Sequence, residues 1–379
     1  MTTAAEGDPP FSLLLRLLDL PDGFAEKEVL RRLGPRALAS LAGSGHRCAA
    51  AAASTALMHW AKDEKNLPPR HSTSAYPAPR LCLGEACSLA ALGGHLEVLK
   101  WLHNTGCPWD PRTCHAAAAG GHLDVLKWLH STGCPWGAST CDAAAEGGYL
   151  EVIKWLHSSG CPWDSESSYA AAVGGHLEVL KWLHTTGCPW DADSCYAAAE
   201  GGHLDMLKWL HSSGCPWDEW ACYVAARGGH LQVLMWLHNT GCPWDSGTSR
   251  AAAKRGDLDM LKWLHDAGCP WDSGTCAGAA VGGHLDMLEW LHSAGCPWDA
   301  GTCCSAAYHG HLEMLQWLHS AGCPWDAATC AGGANGGHLA TLQWAREHHC
   351  PWNKDQVRAN AARGGYVDML RWLDEQGGA

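Results

Sequence analysis

The chain has 379 residues, a formal net charge of −13, 47 % hydrophobic residues and 23 Trp. That composition excludes a disordered chain. The charge is uneven: residues 1–80 hold ten Lys/Arg against eight Asp/Glu, and the rest hold sixteen against thirty-one. An acidic body repels phosphate backbones, so the expectation is that no nucleic acid is bound.

The first 60 residues read as a small helical head. Phe11 to Leu20 is a short apolar helix, Leu20-Pro21-Asp22 a turn, and Glu26 to Leu33 and Arg36 to Leu41 are helical stretches broken by Gly34-Pro35. Ala49 to Trp60 is an Ala-rich helix. Residues 61–85 form a Pro-rich linker of extended character. No run is long enough to span a bilayer. Arg16 interrupts the only apolar stretch near the start, and no cleavage-like site follows it. No membrane partner is expected.

From residue 86 to 379 the chain is an array. Cys-Pro-Trp returns at Cys107, Cys134, Cys161, Cys188, Cys215, Cys242, Cys269, Cys296, Cys323 and Cys350, always 27 residues apart. A fixed period in this range marks a solenoid. Each unit holds two short helices. In one copy the first spans about Thr113 to Ala119, with Thr113 as N-cap, and Gly120-Gly121 reverses the chain. The second spans about Leu123 to Ser131, with Val125, Leu126, Trp128 and Leu129 on one face and Asp124 and Lys127 on the other. There is no alternation of period two, so no sheet is expected. Ala pairs such as Ala117-Ala118 let first helices approach closely, and only stacking can bury the Trp and Ala faces together. Residues 356–379 depart from the pattern as a terminal cap does.

Eight further cysteines share one other slot, among them Cys87, Cys114 and Cys141. Equivalent positions in stacked helical units lie about 8–10 Å apart, beyond the roughly 7 Å reach of a disulfide. The expectation is a reduced, intracellular protein, in the cytoplasm with the nucleus left open.

The unit Thr-Cys-x-Ala-Ala-Ala-x-Gly-Gly-His-Leu-Asp-Val-Leu-Lys-Trp-Leu resembles the ankyrin repeat, over some 290 residues and about eleven copies. Ankyrin units have about 33 residues; the residues missing here lie between Asp110 and Thr113, where that family carries its hairpin. The resemblance implies an all-α solenoid of stacked helix pairs with shortened hairpin loops, preceded by the head. It also implies that the first helices and the slot before Gly-His line a concave binding face. The head resembles an F-box in its order of Leu20-Pro21, Val29-Leu30, Leu33, Pro35, Leu38 and Trp60. That resemblance implies docking to a Skp-type adaptor of a cullin–RING ubiquitin ligase through Leu20, Pro21, Val29, Leu30, Leu33, Pro35 and Leu38. A plain scaffold whose head only caps the first repeat is the alternative.

The chemistry-bearing residues are mostly periodic. His103 and Cys107, an i,i+4 pair repeated along the array, suggest metal, but zinc needs three or four ligands and each unit offers two. Helix termini account for both His slots as well: one starts the second helix, the other ends it. Cys304, Tyr308 and His309 break the pattern, yet no third group orients a nucleophile. A non-enzymatic protein without cofactor is expected. Variation among copies falls on the slot after Thr-Cys and the slot before Gly-Gly. It brings together Tyr169, Tyr196, Tyr223 and Trp220, flanked by Glu146, Glu200, Arg227, Arg250 and Lys254, in a site centred on copies four to seven, where Tyr, Trp and Arg favour protein binding.

Overall fold

A computed structural model describes residues 81–104 and 106–375. Among them the chain is helical throughout, without a strand, in eleven pairs running from Leu81–Leu92 with Leu96–Asn104 to Lys354–Gly364 with Val367–Glu375. The chain divides into two compact units, Met1–Trp190 and Asp191–Ala379. The expected docking residues Leu20, Pro21, Val29, Leu30, Leu33, Pro35 and Leu38, and Trp60, lie outside the described residues. The expected linker ends early: the first helix begins at Leu81, directly after the last proline and its neighbour Arg80.

Within each unit the first helices of successive repeats pack on one another. Ala117, Ala118, Ala144 and Ala145 are wholly buried, and so are Cys114 and Cys141 beside them. Side chains this small let the backbones come close, as the sequence leads one to expect. The second helices of the inner repeats bury Val125, Leu126 and Leu129, and their copies, completely or nearly so.

The first helix is capped differently from expectation. It runs Pro111–Ala119, and its N-cap is Asp110, whose side chain accepts from the Arg112 backbone N–H at 2.9 Å. Thr113 is buried in the core. The Asp of Cys-Pro-Trp-Asp repeats this role at Asp164, Asp191, Asp218, Asp245, Asp272, Asp299 and Asp326. Gly137 takes the position in one copy and offers no side-chain bond. The second helix runs Leu123–Ser131 as read. On its outer side Glu97, Glu151 and Glu178 each meet the Lys three residues on at 2.7 Å.

Both His slots do more than end or begin a helix. The His after Gly-Gly makes no side-chain cap bond. Its ring lies over the second Gly of the preceding repeat, as His122 does over Gly94 and His230 over Gly202. His122 Nε2 also lies 3.0 Å from the Leu92 carbonyl oxygen. The His after Trp-Leu stacks on the Trp of its own Cys-Pro-Trp: His103 on Trp109 at 4.0 Å and 8°. Trp128 of the next repeat meets both edge-on, at 5.9 and 5.5 Å. In the second unit His211, Trp217 and Trp236 repeat the trio at 4.1, 5.8 and 5.5 Å. Edge-to-face rings thus fill the wider gap between second helices, where Ala packing cannot reach.

Candidate interaction face

The helix Glu219–Gly228 carries the most developed surface feature of the second unit. Asp218 caps it, accepting from the Trp220 backbone N–H at 2.9 Å, and also accepts from the Tyr196 hydroxyl at 2.7 Å. One carboxylate therefore fixes both the helix start and the tyrosine of the preceding repeat. Burial first, and then this bond to Asp218, push the Tyr196 phenol above its ordinary range. Trp220 is 49 % exposed, and its ring stacks on Tyr223 at 4.5 Å and 25°. Positions i and i+3 share a face, which is why the pair can stack. Arg227, one turn further, lies 6.0 Å from the Tyr223 ring centre and pairs with Glu200. These residues form one continuous strip of the expected site.

Two expected residues extend it. Arg250 and Lys254 stand exposed on the next first helix, Ser246–Arg255, which packs against Glu219–Gly228. The stem of Arg250 runs over Gly278, where no side chain competes for the space. Glu200 ends the helix Ala192–Glu200. Tyr169 and Glu146 belong to the first compact unit, where both are exposed.

Two residues that sequence reasoning passed over complete the face. Asp218 is one periodic Asp among many, and nothing in its own repeat singles it out. Arg255 replaces the usual Gly before Gly256, and Asp257 the usual His after it. Here Arg255 covers Gly229 and donates from Nη1 to the Arg227 carbonyl oxygen at 3.2 Å. It takes over the stitch that His makes elsewhere, while Asp257 caps the following helix through the Met260 N–H at 3.0 Å. The paired break in the pattern was the available signal.

The other singular cluster is Cys304, Tyr308 and His309. Burial raises the Cys304 thiol, and its sulfur packs over Gly332. His309 Nδ1 lies 3.0 Å from the Ser305 carbonyl oxygen, and Tyr308 projects with 42 % exposure. No helix among the described residues is long and apolar enough to cross a membrane.

A family model described as "Ankyrin repeats (many copies)" matches residues 86–130, 114–157, 195–238 and 276–319. No curated protein matches. Solved structures with some likeness include the pentatricopeptide repeat protein PPR10 in complex with an 18-nt psaJ RNA element. It is 15 % identical, with TM-score 0.42, covering 97 % of this chain and 68 % of that one. A structure of PPR10 from maize gives 16 % identity and TM-score 0.35 over the same shares. These structures correct the expectation that nucleic acid is excluded, since a helical repeat protein with some likeness was solved with RNA. Net charge was the ground for that expectation, and it averages over position: Arg227, Arg250, Lys254 and Arg255 share two packed helices inside an acidic array. A likeness at TM-score 0.42 assigns no ligand to this chain. The family match and the stacked helix pairs agree with each other: the matched segments are ankyrin repeats, in a form shortened to 27 residues a unit.

Proposed function

We propose that the chain is a non-enzymatic scaffold that binds a protein partner on the first-helix face of its second unit. The observation that carries this reading is Trp220, left 49 % exposed yet held against Tyr223 at 4.5 Å. An aromatic pair fixed before binding loses little conformational freedom on contact, which is the property of a binding anchor. Arg227, Glu200, Arg250 and Lys254 supply the charged rim, and Tyr196 with Asp218 holds the anchor in place. Tyr169 and Glu146 are proposed as outlying contacts in the first unit.

A displayed random-peptide library selected against the full chain tests this. Selected peptides should bind wild type and lose roughly tenfold or more in affinity on Trp220→Ala or Tyr223→Ala, while Tyr308→Ala binds as wild type. Equal binding by all three variants would remove the site. Single-stranded RNA oligonucleotides run in parallel by fluorescence anisotropy give the rival outcome. Binding that weakens with salt and is lost on Arg250→Ala and Lys254→Ala would replace the protein reading.

A finer reading rests on the order of Leu20, Pro21, Val29, Leu30, Leu33, Pro35 and Leu38 in the sequence. If these residues dock a Skp-type adaptor, the scaffold is a substrate receptor of a cullin–RING ubiquitin ligase. Full-length protein should then bind the adaptor and lose it on Leu30→Asp with Leu33→Asp. No binding by wild type would leave a capped scaffold.

A further inference from the structure

The two cysteine slots meet within a single repeat. Comparison of equivalent positions misses this, because the contact joins different slots twenty residues apart. Cys87 Sγ lies 3.2 Å from Cys107 Sγ. The same thiol–thiol hydrogen bond recurs at the same spacing in eight repeats, the last joining Cys330 to Cys350. In two repeats the first-helix position is serine, and the contact persists without the chemistry: Ser168 Oγ lies 3.5 Å from Cys188 Sγ, and Ser249 Oγ 3.4 Å from Cys269 Sγ. The juxtaposition is thus a property of the unit, and the molecule carries two built-in controls.

The two thiols of a pair are not equivalent. Cys87 and Cys114 have no exposed surface, whereas Cys107 and Cys134 keep 6 % and 4 %. The hydrogen bond from the first-helix thiol holds Cys107, Cys134 and Cys161 below the ordinary thiol range, against the opposing effect of burial. In two pairs the loop thiol is instead the raised partner: Cys296, bonded to Cys276, and Cys350, bonded to Cys330, which is itself lowered.

We propose that each pair is a redox-active dithiol, which a hydroperoxide closes to an intra-repeat disulfide and a small thiol reductant reopens. One thiolate of the pair attacks one peroxide oxygen. The O–O bond breaks, a sulfenic acid forms, and the departing hydroxide takes up a proton as water. The partner thiol then attacks the sulfenic sulfur: the S–S bond forms, the S–O bond breaks, and the leaving hydroxide takes the partner's proton as a second water. Two thiols lose two electrons and two protons, and one peroxide becomes two waters. Sulfurs already in contact need move only about 1 Å to reach the roughly 2 Å of a disulfide. Each bridge ties the first helix to the Cys-Pro-Trp loop of the same repeat, so contacts between repeats are not crosslinked. Oxidation stiffens the units one by one and leaves the array as an array.

The test uses the full chain, reduced, desalted and then treated with hydrogen peroxide. Remaining thiols are alkylated under denaturing conditions, and the linked peptides are mapped by mass spectrometry. The expected links join cysteines twenty residues apart, each with the loss of two hydrogens, while Cys188 and Cys269 remain alkylated. Dithiothreitol should reverse them. Ser168→Cys should add one link, to Cys188, in a position already holding a side chain of nearly the same shape. Links at other spacings would overturn the proposal. So would paired thiols that react no faster than Cys188 and Cys269 while circular dichroism shows the helices intact.

Discussion

Asp110 and its copies show how one side chain sets a helix start, and Gly137 shows what its loss leaves. The backbone at Gly137 is extended, φ −150°, a conformation any residue adopts, and a Cβ there meets nothing within 4 Å. Gly137→Asp should therefore restore the cap and stabilise the protein by roughly a few tenths of a kcal/mol, with about 0.4–1 kcal/mol more from the freedom the unfolded chain loses with the glycine, read as a rise in Tm. An unchanged or lower Tm would show that the Asp at this position is not a stabilising cap. Asp142 presents the opposite balance. Burial lifts its carboxyl above the ordinary carboxylate range, with the bond from the Ser167 hydroxyl at 2.6 Å pulling partly back. A raised carboxyl favours folding when protonated, and that advantage is lost as pH rises through its folded value. Asp142→Asn, which can keep the Ser167 bond, should raise Tm near neutral pH, with the gain shrinking as pH falls into the carboxylate range. A gain that is the same at both pH values would contradict the assignment.

Elements stack here through contacts of two kinds, and two glycines separate them. Gly121 and Gly133 both adopt positive φ, +74° and +80°. A Cβ at Gly133 meets nothing within 4 Å, whereas one at Gly121 falls 2.5 Å from the Tyr149 ring of the next repeat. Gly133→Ala should cost about 1–2 kcal/mol, the backbone strain alone. Gly121→Ala should cost that plus a repacking penalty of about 1–3 kcal/mol. Equal losses in urea unfolding would mean that the ring does not stitch the repeats. At this scale the sequence was legible where a period carries the information. The second helix Leu123–Ser131 was found to the residue because its apolar face recurs at 3.6. The first helix was begun two residues late, since Thr113 looked like a cap while Asp110 and Pro111, a common helix-opening pair, went unused. The thiol–thiol contacts were not legible, because only folding brings positions twenty apart together.

For the molecule as a whole, the 27-residue period fixed the repeat architecture, and the departures from it pointed to the face. Trp220, Tyr223 and Arg227 could be grouped from their helical spacing, and Glu200 from lying one repeat before Arg227. Asp218 and Arg255 could not, because their roles depend on which neighbour lies within reach. Whole-chain charge misled for the same reason: it counts residues without placing them. The proposed partner contact centres on the helices Glu219–Gly228 and Ser246–Arg255 of the second unit. Hydrogen–deuterium exchange on the full chain, with and without a peptide selected against it, tests that most directly. Added protection is expected in peptides covering those two helices and the loop before Trp220. Protection confined to the second helices, or to repeats of the first unit, would contradict it.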